Sequence, residues 1–353
     1  MKALILSGGA GTRLRPLTFT NAKQLLPLAN KPILFHIIEK LVKAGLRDVG
    51  IIVGDTREEV EKTVGNGDRW DVKIRYIHQP APLGLAHAVK TASGFIGDND
   101  FLMVLGDNVF SMELDALIKN FHSDRANSSL LLHRVDNPSQ YGVAVVENAH
   151  IKRLVEKPRE FISDLIITGV YVFDKSIFEA IDSIPPSPRG ELEITDAIQK
   201  QLETGGRVTY GIIQGWWKDT GSLRDILEAN RLILDEIDCD NKTLPKGDSE
   251  ITGKILAGKN VVVKNSTIMG PVAIADDTMI TNSFIGPYAS IGRSARLNDC
   301  EVDNCIILEN TRIDSIPRRI SGSLIGRNVQ IVSTRKRPHS NTFLVGDNSE
   351  IYL

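Results

Sequence analysis

The residues best suited to chemistry stand near the amino terminus, in Leu6-Ser7-Gly8-Gly9-Ala10-Gly11-Thr12-Arg13-Leu14-Arg15-Pro16-Leu17-Thr18. Ala3-Leu4-Ile5-Leu6 is an apolar run of strand length, so the glycines stand where a strand leaves its sheet, the place where open α/β sheets bind ligands. Glycine lets a backbone come close to an anion, and the amides of such a turn form a concavity suited to phosphate. Arg13, Arg15 and Lys23 add side-chain charge. Two familiar loops are excluded: no Gly-Lys-Ser/Thr ending makes a P-loop, and Leu14 stands where a dinucleotide fingerprint needs its third glycine.

Carboxylates follow later strand-like runs. Asp107 comes after Phe101-Leu102-Met103-Val104-Leu105, and Asp219 after the run 208–213, within Trp216-Trp217-Lys218-Asp219-Thr220-Gly221. In isolation each aspartate reads equally as a turn or helix cap. Beside a triphosphate, one or two such carboxylates are what magnesium takes from protein, since it keeps phosphate oxygens and water for the rest. Gln79, in Gln79-Pro80-Ala81-Pro82-Leu83-Gly84, offers both a donor and an acceptor and so suits the alternating edge of a pyrimidine.

The full pattern of the glycine stretch, followed by Lys23-Gln24-Leu25-Leu26-Pro27 and Lys31-Pro32, resembles the sugar-1-phosphate nucleotidylyltransferases, most closely their glucose-1-phosphate thymidylyltransferase branch. The resemblance covers roughly Met1 to Ile237. It implies that Leu6, Gly8, Gly9, Gly11, Thr12 and Arg13 hold the nucleotide with Lys23, and that Gln24, Gln79, Pro82 and Gly84 surround thymine or uracil. Asp107 and Asp219 match the family's magnesium aspartates. For the sugar phosphate it implies Asn108, Tyr141-Gly142, Glu156-Lys157, Thr168-Gly169 and Arg189, in which the two cations meet phosphate and the others meet hexose hydroxyls. Arg13, Lys23, Asp107 and Asp219 are the expected catalytic residues. The implied reaction is magnesium-assisted displacement: the sugar-1-phosphate oxygen attacks the α-phosphorus of dTTP and pyrophosphate leaves. No histidine or cysteine constellation offers a covalent nucleophile; His36, His87 and His122 fall in helical stretches. A UTP-using or broad-specificity transferase is the nearest alternative.

These residues need elements to position them. Ile33, Ile37, Ile38, Leu41 and Val42 form a helical stripe ended by Gly45, then Asp48 to Val53 reads as a strand; a second such unit follows through Ile74-Arg75-Tyr76-Ile77, a helix near Leu85 to Ser93, and Phe101 to Leu105. The alternation predicts an α/β domain over 1–238: a mainly parallel, open, Rossmann-like sheet with helices on both faces. Residues 239–250, with Pro245 and Gly247, read as a linker.

From 251 to 353 the rule changes. Leu256, Val262, Ile268, Ile274 and Ile280 are six apart, the phase slips by one, and Ile285, Ile291 and Leu297, then Ile307, Ile313, Ile325 and Ile331 continue on a six-residue grid. That period resembles the left-handed parallel β-helix of hexapeptide-repeat proteins, whose coils bury their aliphatic faces only by stacking. Such helices also occur on acyltransferases, which keeps a bifunctional enzyme open; the repeats nevertheless contain no histidine for a general base. We expect them to stabilise and assemble the protein as a homo-oligomer. Arg335-Lys336-Arg337-Pro338 reads as a solvated basic run.

The 353 residues exceed one ordinary core, with 42% hydrophobic and 24% charged residues. A net charge of -2 gives no electrostatic case for nucleic acid or membrane, so the expected partners are small-molecule substrates. Cys239, Cys300 and Cys305 lack metal-ligand spacing and suit a reducing cytoplasm; the four-residue first apolar run predicts no signal peptide, and no apolar run approaches a membrane span.

Overall fold

A strand that is apolar without alternation must be covered on both faces, and Ala3, Leu4 and Ile5 are fully buried. In the computed structural model, which describes residues 1–9, 11–238, 247–333, 343 and 345–352, Lys2–Leu6 pairs in parallel with Asp48–Val53 on one edge and Phe101–Leu105 on the other. Lys73–His78 extends the parallel set beyond Asp48–Val53. Ala10, Cys239, linker residues 239–246 and the basic run 335–338 lie outside the described residues.

Helix Ile33–Lys43 buries Ile33, Ile37, Ile38 and Leu41, and Gly45 ends it at a φ of 78°. Past Leu105 the direction changes. Leu165–Phe173 lies antiparallel to Phe101–Leu105, and Gly142–Glu147 pairs with His150–Glu156 in a hairpin, making the nine-stranded sheet mixed where the sequence reading expects it mainly parallel. The hairpin has a local cause: Asn148 and Ala149 both have positive φ, the twist that matches a two-residue turn to its strands. Phe101 and Phe173 meet in the core at 5.4 Å between ring centres.

Contacts divide the chain into two compact units, and the division does not fall at residue 238. One unit comprises 1–10, 22–25 and 33–217; the other comprises 11–21, 26–32 and 218–353.

The second unit contains the repeats. They fold as three five-stranded sheets, each pairing in parallel down the stack, so five coils build the parallel β-helix. Ile251 faces Ile268 and Ile268 faces Ile285, a repeat of 17 residues that becomes 16 from Ser290 to Ile306 and 18 from Ile306 to Leu324. Seventeen is one short of three hexads, so one side of such a coil takes five residues. Here the grid needs a correction. Leu256 is 41% exposed while Ile255 is buried, and Val263, not Val262, belongs to the core, because the slip already falls between Val263 and Ile268. Asparagines, aspartates and serines take the left-handed corners, among them Asn265, Asn282 and Asn310. Asn265 donates to Asn282 at 2.8 Å, a corner-to-corner ladder. Cys300 and Cys305 are buried, and burial pushes the Cys305 thiol up to about 11, as suits inert packing residues.

In the same unit, helix Leu223–Glu236 is capped by Ser222, which accepts from the Asp225 amide at 3.3 Å. The helix's Asn230 is fully buried. It accepts from the Ala29 amide and the Ser290 hydroxyl, both at 2.8 Å, and donates to the Tyr288 carbonyl at 3.1 Å. Ala29, Leu234 and Ala273 close an apolar patch around it.

The corrected phase is testable. Ile285→Ala should destabilise the protein by about 2–5 kcal/mol, the cost of a buried aliphatic cavity, whereas Leu256→Ala should stay within about 0.5 kcal/mol, as at other exposed positions. Denaturant midpoints decide it, and equal losses would restore the original grid.

Candidate active site

In the first unit the four parallel strands end together, at Ser7, Gly54, Gln79 and Gly106, so the residues that follow them share one edge. The Ser7 amide donates to Ile52 at 2.9 Å and the Gly106 amide to Leu6 at 2.8 Å, which pins the exit of the first strand from both sides. Leu6 is buried beneath it.

Gln79 reaches across this edge. Its Oε1 lies 3.4 Å from where a Cβ on Gly8 would stand, and its Nε2 sits 3.0 Å from His87 Nδ1 and 3.4 Å from the Gly84 carbonyl oxygen. Gly84 has φ 103°, and a Cβ there would come within 2.4 Å of the Leu192 carbonyl oxygen, so only glycine fits. Pro82, in the same loop, is exposed. Gln24 lies between Gly9 and Gly106: a Cβ on Gly9 would meet its Nε2 at 3.9 Å, and one on Gly106 its Cγ at 3.4 Å. Gln24 is 2% exposed, yet its Oε1 has no hydrogen-bond partner in the protein, as is also true of Ser7 Oγ and Asn108 Oδ1. Buried polar atoms are normally satisfied, and three such acceptors among residues at this edge point to a ligand that donates.

Lys23 Nζ donates to Asp107 Oδ2 at 2.6 Å, with 10% of the lysine side chain and 30% of the aspartate side chain exposed. Such a pair can open toward phosphate on one side and toward a cation on the other.

The expected sugar-phosphate residues form two linked groups. Asn108 Nδ2 donates to the Thr168 carbonyl at 2.8 Å, and the Trp217 indole N–H donates to the same oxygen at 3.0 Å. Gly169, at φ 80°, presses against Asn108: a Cβ would stand 2.3 Å from Asn108 Nδ2. Tyr141 packs edge-on against Trp217 at 5.6 Å and accepts the Lys157 amide on its carbonyl at 3.0 Å, which ties this group to the next.

There Thr195 Oγ1 donates to Glu156 Oε2 at 2.7 Å, and Gly142 lies against both. Burial raises the Glu156 carboxyl above its ordinary range, opposed by the Thr195 hydrogen bond and reinforced by the Glu193 charge. Arg189 Nη2 bonds Glu193 at 2.8 Å and also faces Glu156 at 3.4 Å and Glu191 at 3.5 Å, while Lys157 Nζ stands 3.8 Å from Glu156. Three carboxylates thus surround Arg189.

Within the second unit, Thr12–Leu14 makes one tight turn after Gly11, and Thr18 Oγ1 closes the loop by donating to the Gly11 carbonyl at 2.8 Å. Arg13 and Asp219 meet around Gly221, whose Cβ would stand 3.4 Å from Arg13 Nη1 and 2.6 Å from Asp219 Oδ1. The Arg15 guanidinium covers the Phe19 ring at 4.7 Å.

The structure therefore pairs Lys23 with Asp107, brings Arg13 and Asp219 up to Gly221, and gathers the residues expected for the sugar phosphate. Ser7, Trp217, Glu193 and Thr195 join these groups without having been singled out as binders. Trp217 reads from sequence as a core aromatic, and it is buried; its indole N–H nevertheless fixes the same carbonyl as Asn108. Among the described residues no group of three or more His, Cys, Asp and Glu could hold a metal ion. Asp107, a carboxylate beside Lys23 at the sheet edge, is the kind of oxygen donor that suits a hard cation taking most of its ligands from substrate and water. No helix among the described residues is long and apolar enough to cross a membrane.

The chain is 45% identical over 356 residues to a glucose-1-phosphate thymidylyltransferase of Streptomyces griseus, covering 100% of this chain and 99% of that one. It is 40% identical to a low-salt glycan biosynthesis nucleotidyltransferase of Haloferax volcanii over the whole of both chains. A solved Bacillus anthracis glucose-1-phosphate thymidylyltransferase, in complex with sucrose, superimposes with a TM-score of 0.64 at 35% identity, covering 68% of this chain and 98% of its own. Residues 2–236 match the nucleotidyl transferase family, and the chain belongs to it.

Proposed function

We propose that the enzyme transfers the thymidylyl group of dTTP to glucose 1-phosphate, giving dTDP-glucose and pyrophosphate, in the cytoplasm and as a homo-oligomer. The observation that carries this reading is the 45% identity to a glucose-1-phosphate thymidylyltransferase over the full length of both chains. Gln79, Gly84 and the unsatisfied Gln24 Oε1 suit the base edge, and Asn108 Oδ1 and Glu156 accept from hexose hydroxyls. Lys157, with only part of its charge balanced by Glu156, meets the sugar phosphate. Arg189 holds Glu156 and Glu193 in place and reaches phosphate only by leaving one of them.

The reacting phosphate monoester is already largely ionised near neutrality, so no strong general base is needed. Its oxygen forms the new bond to the α-phosphorus while the bond to the oxygen bridging the β-phosphorus breaks. Lys23 and Arg13 draw charge from the triphosphate as pyrophosphate departs, and positioning with charge neutralisation carries the rate. Asp107 and Asp219 would hold magnesium, which supplies Lewis-acid stabilisation of the phosphate oxygens.

Asp107→Asn and Asp219→Asn should each lower turnover by about a hundredfold or more at saturating magnesium, with unchanged circular dichroism; normal turnover in both would remove the two-aspartate site.

Glu156 gives a pH dependence. Its raised folded-state pKa means that protonation begins above the ordinary carboxylate range, so the KM for sugar phosphate should climb as pH falls through that raised value. In stability the same group acts the other way: the folded protein binds the proton more tightly, and that contribution is lost as pH rises through the folded pKa. Glu156→Gln should flatten the KM limb while leaving any limb from the substrate phosphate, whose second pKa is about 6. An unchanged profile would take Glu156 out of the sugar site.

Specificity is read by pyrophosphate release across nucleoside triphosphates and hexose 1-phosphates. dTTP with glucose 1-phosphate should be the best pair, and UTP a usable second, because one methyl group supplies only about 1–3 kcal/mol of discrimination. A preference for a purine nucleotide would overturn the assignment.

A further inference from the structure

The loop 11–21 that carries Arg13 is packed within the second unit against the fifth coil of the β-helix. Leu17 Cδ2 lies 3.1 Å from where a Cβ on Gly326 would stand, so the glycine leaves room for the leucine. Next to it Arg327 donates from Nη1 to Asn21 Oδ1, and its Nε is fixed by Glu309 at 2.5 Å. Asn21, 7% exposed, passes the constraint back into the loop, donating from Nδ2 to the Leu17 carbonyl at 3.0 Å. The corner bearing Arg327 is itself held by the coil before it: Thr311 Oγ1 donates to the Gly326 carbonyl at 2.8 Å, and the Asn328 amide to Glu309 at 3.0 Å.

We infer that Arg327 is a positioning residue for the nucleotide loop, through which the last coil of the β-helix sets the placement of Arg13. A planar guanidinium with divergent donors can serve Asn21 and Glu309 together, which lysine cannot do with the same geometry. Arg293 takes the equivalent corner two coils earlier and pairs with Asp277; at Arg327 the guanidinium also reaches the loop. The inference rests on the reading that loop 11–21 serves the triphosphate, and it gives the β-helix a part in catalysis beyond stability and assembly, without a second active site.

The test uses the full-length enzyme. Arg327→Ala and Asn21→Ala should each lower kcat/KM for the nucleoside triphosphate by about tenfold or more, because small displacements of a positioning group are costly in rate, and should leave the KM for sugar 1-phosphate within about twofold, since nothing in that site changes. The double variant should be no worse than either single one, as expected for two ends of one contact. Arg319→Ala is the control: it removes ion pairs to Glu301 and Asp303 on the same β-helix without touching the loop, and should leave both constants unchanged. Additive losses, equal effects on both substrates, or an Arg327→Ala enzyme that behaves like Arg319→Ala would each overturn the inference. A wild-type enzyme inactive with every nucleotide and sugar phosphate pair would instead overturn the function on which it rests.

Discussion

The backbone of Lys2–Leu6 is hydrogen-bonded along both edges because it lies in the middle of the sheet, where an unpaired amide or carbonyl would be costly. Much of the first unit follows from that. The neighbouring strands run parallel and in register, so their ends arrive together, and the chain leaves through tight turns whose own amides are tied to the neighbours. Gly106 is pressed against the Leu6 carbonyl, which puts Asp107 one residue beyond the sheet edge and within reach of Lys23. The glycine loop starts where the ladder's hydrogen bonds run out, so its amides are those that the ladder has released.

In the first unit opposite charges are held close together. Lys23 offsets Asp107, while Arg189 with Lys157 offsets Glu156, Glu191 and Glu193. Cations held this way are oriented by their carboxylates before any ligand arrives.

The chemistry was legible because fixed spacings of glycine, arginine, lysine and aspartate are local in sequence. The six-residue period was legible too, yet its phase was misread at Leu256 and Val262. A period shows that a face exists, and burial decides which residue occupies it; a coil of 17 residues shifts the pattern once per turn. The mixed half of the sheet escaped because strand direction depends on turns such as Asn148-Ala149, which look like any polar link. Thr195, Trp217, Asn230 and Arg327 escaped for a different reason. Their partners lie 39, 49, 201 and 306 residues away, and no local pattern marks a contact made at such separation.

The β-helix also acts as a ruler. Asn230 grips it at Tyr288 and Ser290 in the third coil, and loop 11–21 grips it at Arg327 in the fifth. Ser290 stacks on Ile306, and Ile306 on Leu324, so these anchor points are two coils apart, roughly 10 Å at the strand spacing of a sheet. A repeat protein usually gains or loses whole coils freely. Here, removing one between the anchors would shift Arg327 by about 5 Å from Asn21, well beyond hydrogen-bond reach. The number of coils between the anchors is therefore fixed by the enzyme, and the stack is free to change length only outside them, before the third coil or past Val332.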